Sequence, residues 1–226
     1  MFQKEGLRAV IFDIDGTLVD SFSVYRKVFN EGLADHGIGP VPGGLLEHYL
    51  RKGKSLRDIL EGVFPPGTDD GTFDACKERI KHLFRQAEPE EVKAFPGVEE
   101  LFAHLESSGV KIGIATGRVS TPEDEWKRFM RLGLSRFIDA IVTSHEVFSR
   151  KPAPDVLLAC AKRLDVPIGG CLAVGDTESD IIAAKSAGAI AVYVRTGVED
   201  ADAVAKARPD IILENTCDLL ALLKEG

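Results

Sequence analysis

Short apolar runs alternate with stretches of helical periodicity along most of this chain of 226 residues. Segments 9–12, 111–115, 140–143, 171–174 and 189–194 are rich in Val, Ile and Ala, and 211–213 is a sixth candidate. Each is too short for a helix and apolar on both faces, as a strand buried in a parallel sheet must be. Between them, 98–107 puts Val98, Leu101, Phe102 and Leu105 on one helical face, and 154–164 does the same with Val156, Leu157, Cys160 and Leu164. Segments 179–187 and 218–224 follow the same spacing. Strand–helix alternation predicts an α/β chain: a three-layer, Rossmann-like parallel sheet with helices on both faces.

One region breaks the alternation. From 21 to 93 there is no convincing buried strand, only helical segments at 22–36, 44–50, 56–63 and 72–87, separated by Gly- and Pro-rich breaks. Phe95-Pro96-Gly97-Val98 then turns the chain back into the alternating pattern. The expected organisation is a core of residues 1–20 and 94–226 with an inserted α-helical cap domain at 21–93. Trp126, Phe129 and Met130 form an apolar helical stripe expected to pack into the core.

Composition narrows the classes. Hydrophobic residues make up 44% and charged residues 28%, ordinary for a folded domain. A net charge of -8 supplies no basic face for nucleic acid. No apolar run is long enough to cross a bilayer and no signal peptide is apparent, so a cytoplasmic chain with no membrane partner is expected. The four cysteines lie far apart, and neither they nor the five histidines show metal-site spacing.

The candidate chemistry lies where the strands end. Ala9-Val10-Ile11-Phe12 runs straight into Asp13-Ile14-Asp15-Gly16-Thr17, so two carboxylates emerge together from a buried strand. Burying acids side by side is costly unless a cation or a phosphate chemistry uses them. The pentapeptide has the parts of a carboxylate nucleophile, an acid/base carboxylate and a backbone cradle for an anion. Thr116-Gly117-Arg118, Lys151-Pro152 and Gly175-Asp176-Thr177-Glu178-Ser179-Asp180 follow three other strands. Ligands of open parallel sheets bind beyond the carboxyl ends of the strands, so the four clusters are expected to converge. Several carboxylates at one point suit Mg²⁺. Lys151 would hold a carboxylate ionised and neutralise phosphoryl oxygens. Thr116 and the backbone at Gly117 would donate to phosphate, although Thr116 also suits a helix N-cap. Asp180 would cap a helix as readily as serve a site. Arg118 has three open readings: substrate contact, cap contact or solvated side chain.

In type and order, these four motifs resemble those of the haloacid dehalogenase superfamily, in the branch with a helical cap after the first motif. The resemblance covers the core from end to end. It implies Asp13 as nucleophile, Asp15 as general acid/base, and Thr116 and Lys151 as phosphoryl-binding groups. It implies Mg²⁺ held by Asp13, the backbone carbonyl of Asp15, and Asp176. Asp180 would ligate through water or orient Lys151, and Glu178 would serve the metal's outer shell or merely begin a helix. The second carboxylate, Asp15, separates the chain from the dehalogenases and phosphonatases of the superfamily. The implied activity is Mg²⁺-dependent hydrolysis of a small phosphorylated metabolite, with the phosphoglycolate phosphatases as the most similar group and a monomer or homodimer as the working form. Pyrophosphatases share the motifs, and a non-catalytic scaffold on the same fold is the reading from another class. A β-phosphoglucomutase-like transferase is the nearest alternative. That group carries Gly-x-Ser-Arg in the cap, where this chain has Gly53-Lys54-Ser55-Leu56 and places arginine one position later, at Arg57. Lys54 and Arg57, within a basic cluster with Arg51 and Lys52, are the cap's candidate substrate contacts; the bland reading is a solvated face. Gly53-Lys54-Ser55 is not a nucleotide P-loop, since His48 stands where that motif needs glycine.

Overall fold

The computed structural model describes residues 6–42, 44–51, 55–197 and 201–225. Six strands form one parallel sheet: β1 (Ala9–Phe12), β2 (Lys111–Thr116), β3 (Ala140–Thr143), β4 (Cys171–Gly175), β5 (Ile190–Val194) and β6 (Ile211–Leu213). Their order is β3-β2-β1-β4-β5-β6. β1 is therefore central, and the chain builds outward first on one side and then on the other. The crevice beyond β1 is the switch point where such sheets bind ligands. Register sharpens this: Phe12 pairs with Ile114 on one side and Val174 on the other, so the polar segments that follow leave the sheet at one level.

β1 to β4 are buried on both faces, apart from Lys111 at the start of β2, which explains their continuous apolar runs. Helices α5 (Val98–Ser107), α6 (Pro122–Arg131), α7 (Asp155–Leu164), α8 (Glu178–Ala187), α9 (Ala201–Lys206) and α10 (Asp218–Glu225) belong to the same unit. α7 and α8 contribute Val156, Leu157, Cys160, Leu164, Ile181 and Ala184 to one core cluster. At about 25 cal/mol per Å² of apolar surface removed from water, each such Leu or Ile stabilises the fold by roughly 1.5–3 kcal/mol.

The stripe expected at Trp126, Phe129 and Met130 is corrected by α6. Phe129 is buried, but Met130 is 68% exposed. The face that α6 turns inward instead carries Glu125 and Arg128 beside Phe129, at helical spacings of three and four. A period of 3.6 residues places position 130 about 100° round from 129, which puts Met130 outside.

The chain divides into two compact units, 1–19 with 94–226, and 20–93. The second is helical: α1 (Ser21–Ala34), α2 (Leu45–Arg51), α3 (Leu56–Val63) and α4 (Asp70–Glu91). Its own core packs Phe29, Leu33, Leu46, Leu60, Cys76 and Ile80. α4 extends to Glu91 through Pro89, beyond the expected end at 87. α1 and α4 approach closely at Gly32, where a Cβ would strike the Ile80 side chain. The expected turn at 95–98 is present: Phe95 N–H donates to Leu18 O at 2.9 Å, and Gly97, at φ 84°, begins α5.

Candidate active site

The loop after β1 is wound tightly. Asp13 N–H continues the ladder by donating to Val174 O at 2.9 Å, and Ile14 O then accepts from the N–H groups of Thr17, Leu18 and Val19. Gly16 sits at φ 75°, and a Cβ there would run into the carboxylate of Asp176, so the turn needs glycine on both counts. Three threonines tie the loop down. Thr17 Oγ1 donates to Asp176 Oδ1 at 2.9 Å, Thr216 Oγ1 donates to Thr17 O at 2.5 Å, and Thr196 Oγ1 donates to Gly16 O.

Lys151 is the hub. Its Nζ lies 2.8 Å from Asp13 Oδ1, 2.6 Å from Asp180 Oδ1 and 2.8 Å from Ala115 O, which accounts for all three ammonium protons. The lysine side chain is only 7% exposed. Burial works against its charge, but Asp13 and Asp180 outweigh that and raise its pKa above the ordinary lysine value. Burial pushes the Asp13 carboxyl up to about 7, with Lys151 opposing the rise and Asp180 adding to it. Asp176 rises well above the carboxylate range through burial and then through the charges of Asp180 and Asp13.

Asp180 has two tasks. As the third residue of α8 it closes a capping box, its Oδ2 accepting from Thr177 N at 3.1 Å and Thr177 Oγ1 at 2.5 Å. Its other oxygen holds Lys151. Gly175 makes this possible, since a Cβ there would collide with Asp180.

Carboxylate oxygens of Asp13, Asp176 and Asp180 lie within 4.8 Å of one another. Asp176 and Asp180, both buried, and the partly buried Asp13 meet one ammonium, and Asp13 and Asp176 are driven toward protonation. An all-oxygen, negatively charged donor set of this kind suits a hard divalent cation, so the residues present fit a metal.

Thr116 ends β2, and its Oγ1 accepts from Arg118 N–H at 3.2 Å. It caps no helix, because α6 begins at Pro122 with Thr121 as its cap. That removes the alternative left open in the sequence. Arg118 turns onto Asp15, with Nε donating to Oδ2 at 2.6 Å and an Nη to Oδ1 at 2.5 Å. A cavity of about 390 Å³ opens over Asp13, Asp15, Thr116, Arg118, Lys151 and Asp180, with Gly117 and Arg150 also in its wall. Arg150 was not picked out in the sequence. Its signal was adjacency to Lys151.

Of the two basic candidates in the helical unit, Lys54 lies outside the described residues, as do Lys52 and Gly53. Arg57 spends its charge within its own unit. Nε donates to Glu61 at 2.7 Å, a second nitrogen pairs with Asp70, a third lies 3.8 Å from Asp74, and the guanidinium stacks over Phe73.

With this geometry in view, comparison with known proteins decides the family. The model of haloacid dehalogenase-like hydrolases matches residues 10–194. The chain belongs to that family. Among curated relatives, the phosphoglycolate phosphatase of Escherichia coli O157:H7 is 29% identical over 241 aligned residues, covering 99% of this chain and 95% of the relative. That of Yersinia pestis is 27% identical, covering 97% and 94%. Among solved structures, a hydrolase from Pseudomonas syringae is 30% identical with a TM-score of 0.69, covering 96% of this chain and 98% of the other. A candidate β-phosphoglucomutase from Thermotoga maritima is 27% identical with a TM-score of 0.78, covering 96% and 99%. The parallel sheet with its helices is thus that of the haloacid dehalogenase-like hydrolases. No helix among the described residues is long and apolar enough to cross a membrane.

Proposed function

We propose that this chain, a phosphatase of the haloacid dehalogenase-like family, hydrolyses a small organic phosphomonoester such as phosphoglycolate through a phosphoryl-aspartate at Asp13. The observation that carries this reading is the buried Lys151–Asp13 pair at 2.8 Å on the floor of a cavity that Asp15 also lines.

Asp13 presents a carboxylate oxygen to the phosphorus. As the Asp13–phosphorus bond forms, the bond to the leaving oxygen breaks, and Asp15, which must enter this step as the protonated acid rather than the carboxylate paired with Arg118, gives that oxygen its proton. Asp15, now a carboxylate, takes a proton from water as the water oxygen attacks phosphorus. The Asp13–phosphorus bond then breaks, and inorganic phosphate leaves. Thr116 and the backbone at Gly117 would donate to the phosphoryl oxygens. Lys151 opposes protonation of Asp13, and its ammonium would donate to a phosphoryl oxygen. Asp180 fixes Lys151 from behind. Asp13, Asp176 and the backbone carbonyl of Asp15 would hold Mg²⁺, with Asp180 close by. The ion would neutralise charge on the phosphoryl oxygens and on the crowded carboxylates. The helical unit is read as a cap that excludes bulk water and selects small substrates.

A second reading, phosphoryl transfer between positions of a sugar phosphate, is favoured by the likeness to the Thermotoga protein. Against it, Arg57 is already paired with carboxylates rather than free for a second phosphate.

The test is phosphate release from phosphoglycolate, sugar phosphates, nucleoside monophosphates and pyrophosphate, with Mg²⁺ and with EDTA. Mg²⁺-dependent release with a marked preference for phosphoglycolate is expected. Isomerisation of β-glucose 1-phosphate without phosphate release would overturn hydrolysis in favour of transfer.

A further inference from the structure

We propose that Glu125, on the buried face of α6, is a positioning residue for Asp15, acting through Ser120 and the Arg118 fork. The proposal rests on the reading of Asp15 as the acid/base.

Glu125 is completely buried and Arg128 is 8% exposed. A helix needs no such pair to pack on a sheet, and an apolar pair of similar volume is often as stable or more so. Both Glu125 oxygens are committed. Oε1 accepts from Ser120 Oγ at 2.5 Å and Oε2 from Arg128 Nε at 2.7 Å. Ser120 lies two residues beyond Arg118, in the connection from β2 to α6. On the other side of Arg118, the Ser144 hydroxyl lies 2.9 Å from Gly117 O and 2.7 Å from Arg118 O, and Ser144 N–H donates to Arg118 O at 3.1 Å. The backbone carrying Arg118 is therefore clamped before and after the side chain leaves it.

Arg118 in turn grips Asp15 with two bonds, one to each carboxylate oxygen. A bidentate guanidinium fixes the plane of a carboxylate as well as its distance, which a single donor does not. Charge reinforces the geometry. Burial raises the Glu125 pKa, while the Ser120 hydroxyl and the Arg118 charge hold it down, so Glu125 and Arg118 stabilise each other across the loop. Proton transfer to a leaving oxygen is sensitive to small errors of placement, and a clamp on the Arg118 loop sets where the Asp15 carboxylate stands.

The alternative is that Glu125 and Arg128 merely pin α6 to the sheet. Leaving-group dependence separates the two. An alkyl phosphomonoester needs a proton on its leaving oxygen, whereas 4-nitrophenyl phosphate needs little help. Glu125→Gln is expected to lower kcat/KM on an alkyl substrate about tenfold or more and on 4-nitrophenyl phosphate less than about threefold. Ser120→Ala, which removes one hydroxyl from a half-buried site, should lower the alkyl value by roughly threefold, and it decides the matter if Glu125→Gln does not fold. Equal losses on both substrates, or none on either, would overturn the positioning role. Asp15→Asn runs alongside. If it stays active, the acid/base reading falls and the proposal with it. If it is inactive while Glu125→Gln affects both substrates alike, the positioning role falls alone.

Discussion

At the carboxyl ends of the strands in the sheet unit the ionisable groups are buried and crowded, whereas in the helical unit they are spread over an open surface. Asp13, Lys151, Asp176 and Asp180 are each at most 12% exposed at the side chain or buried as residues, and Asp13 and Asp176 are pushed toward protonation. In the helical unit, Asp74 is held below its ordinary range by the Lys77 ammonium, and Asp69 by the Thr72 hydroxyl and amide. The first arrangement costs stability and creates a demand for a cation. The second costs little and contributes little, because water already solvates each charge. Carboxylates with the same intrinsic chemistry are thus a reactive site in one unit and a solubilising coat in the other.

The sharpest way to break this contrast is Asp13→Asn. Loss of the proposed nucleophile is expected to reduce turnover by about a thousandfold or more. The same change removes one of the crowded charges, so the metal-free protein should melt at an equal or higher temperature at pH 8. Retained turnover, or a marked drop in metal-free Tm, would contradict the account of the site.

Metal binding should report the same crowding through pH. In the metal-free fold burial pushes the Asp13 carboxyl up to about 7, well above the unfolded value of about 3.9. Between those limits the native state binds more protons than the unfolded one. The metal-free fold therefore loses stability as pH rises through that window. Mg²⁺ held as proposed would displace the Asp13 proton and any proton on Asp176, so its affinity should rise with pH through this window. Calorimetry in buffers of different ionisation enthalpy should detect more proton release at pH 6 than at pH 8.5. A pH-independent affinity would break the link between burial and metal demand.

The smallest effects sharpen the other side of the comparison. Arg79→Ala removes the exposed pair with Asp35 in the helical unit and should cost less than about 1 kcal/mol. Leu60→Ala, in the core of that same unit, should cost about 2–5 kcal/mol. Urea titrations of both variants test whether packing, not surface charge, holds the helical unit. A larger loss for Arg79→Ala than for Leu60→Ala would reverse that conclusion.

The strands, most of the helices and the four motif loops were legible because each depends on local pattern. A strand buried on both faces has to be apolar throughout, and a turn such as Asp13–Thr17 needs glycine where φ is positive. The ends of those strands were enough to name Asp13, Thr116, Lys151, Asp176 and Asp180 as one group. What the pattern did not disclose is who holds whom. A helical stripe drawn from Trp126, Phe129 and Met130 assumed that apolar residues face inward. α6 instead buries Glu125 and Arg128, because charged groups that satisfy each other and Ser120 can occupy the inner face. Likewise the sequence left Arg118 between substrate, cap and solvent, and Asp180 between capping a helix and serving the site. Register, which sets β1, β2, β3 and β4 level, helps bring Arg118 to Asp15 across 103 positions of sequence and Lys151 to Asp13 across 138. Hydrophobic periodicity is a property of neighbours along the chain and so determined the layers. Ion pairing is a property of neighbours in space, and only the packed sheet decided it.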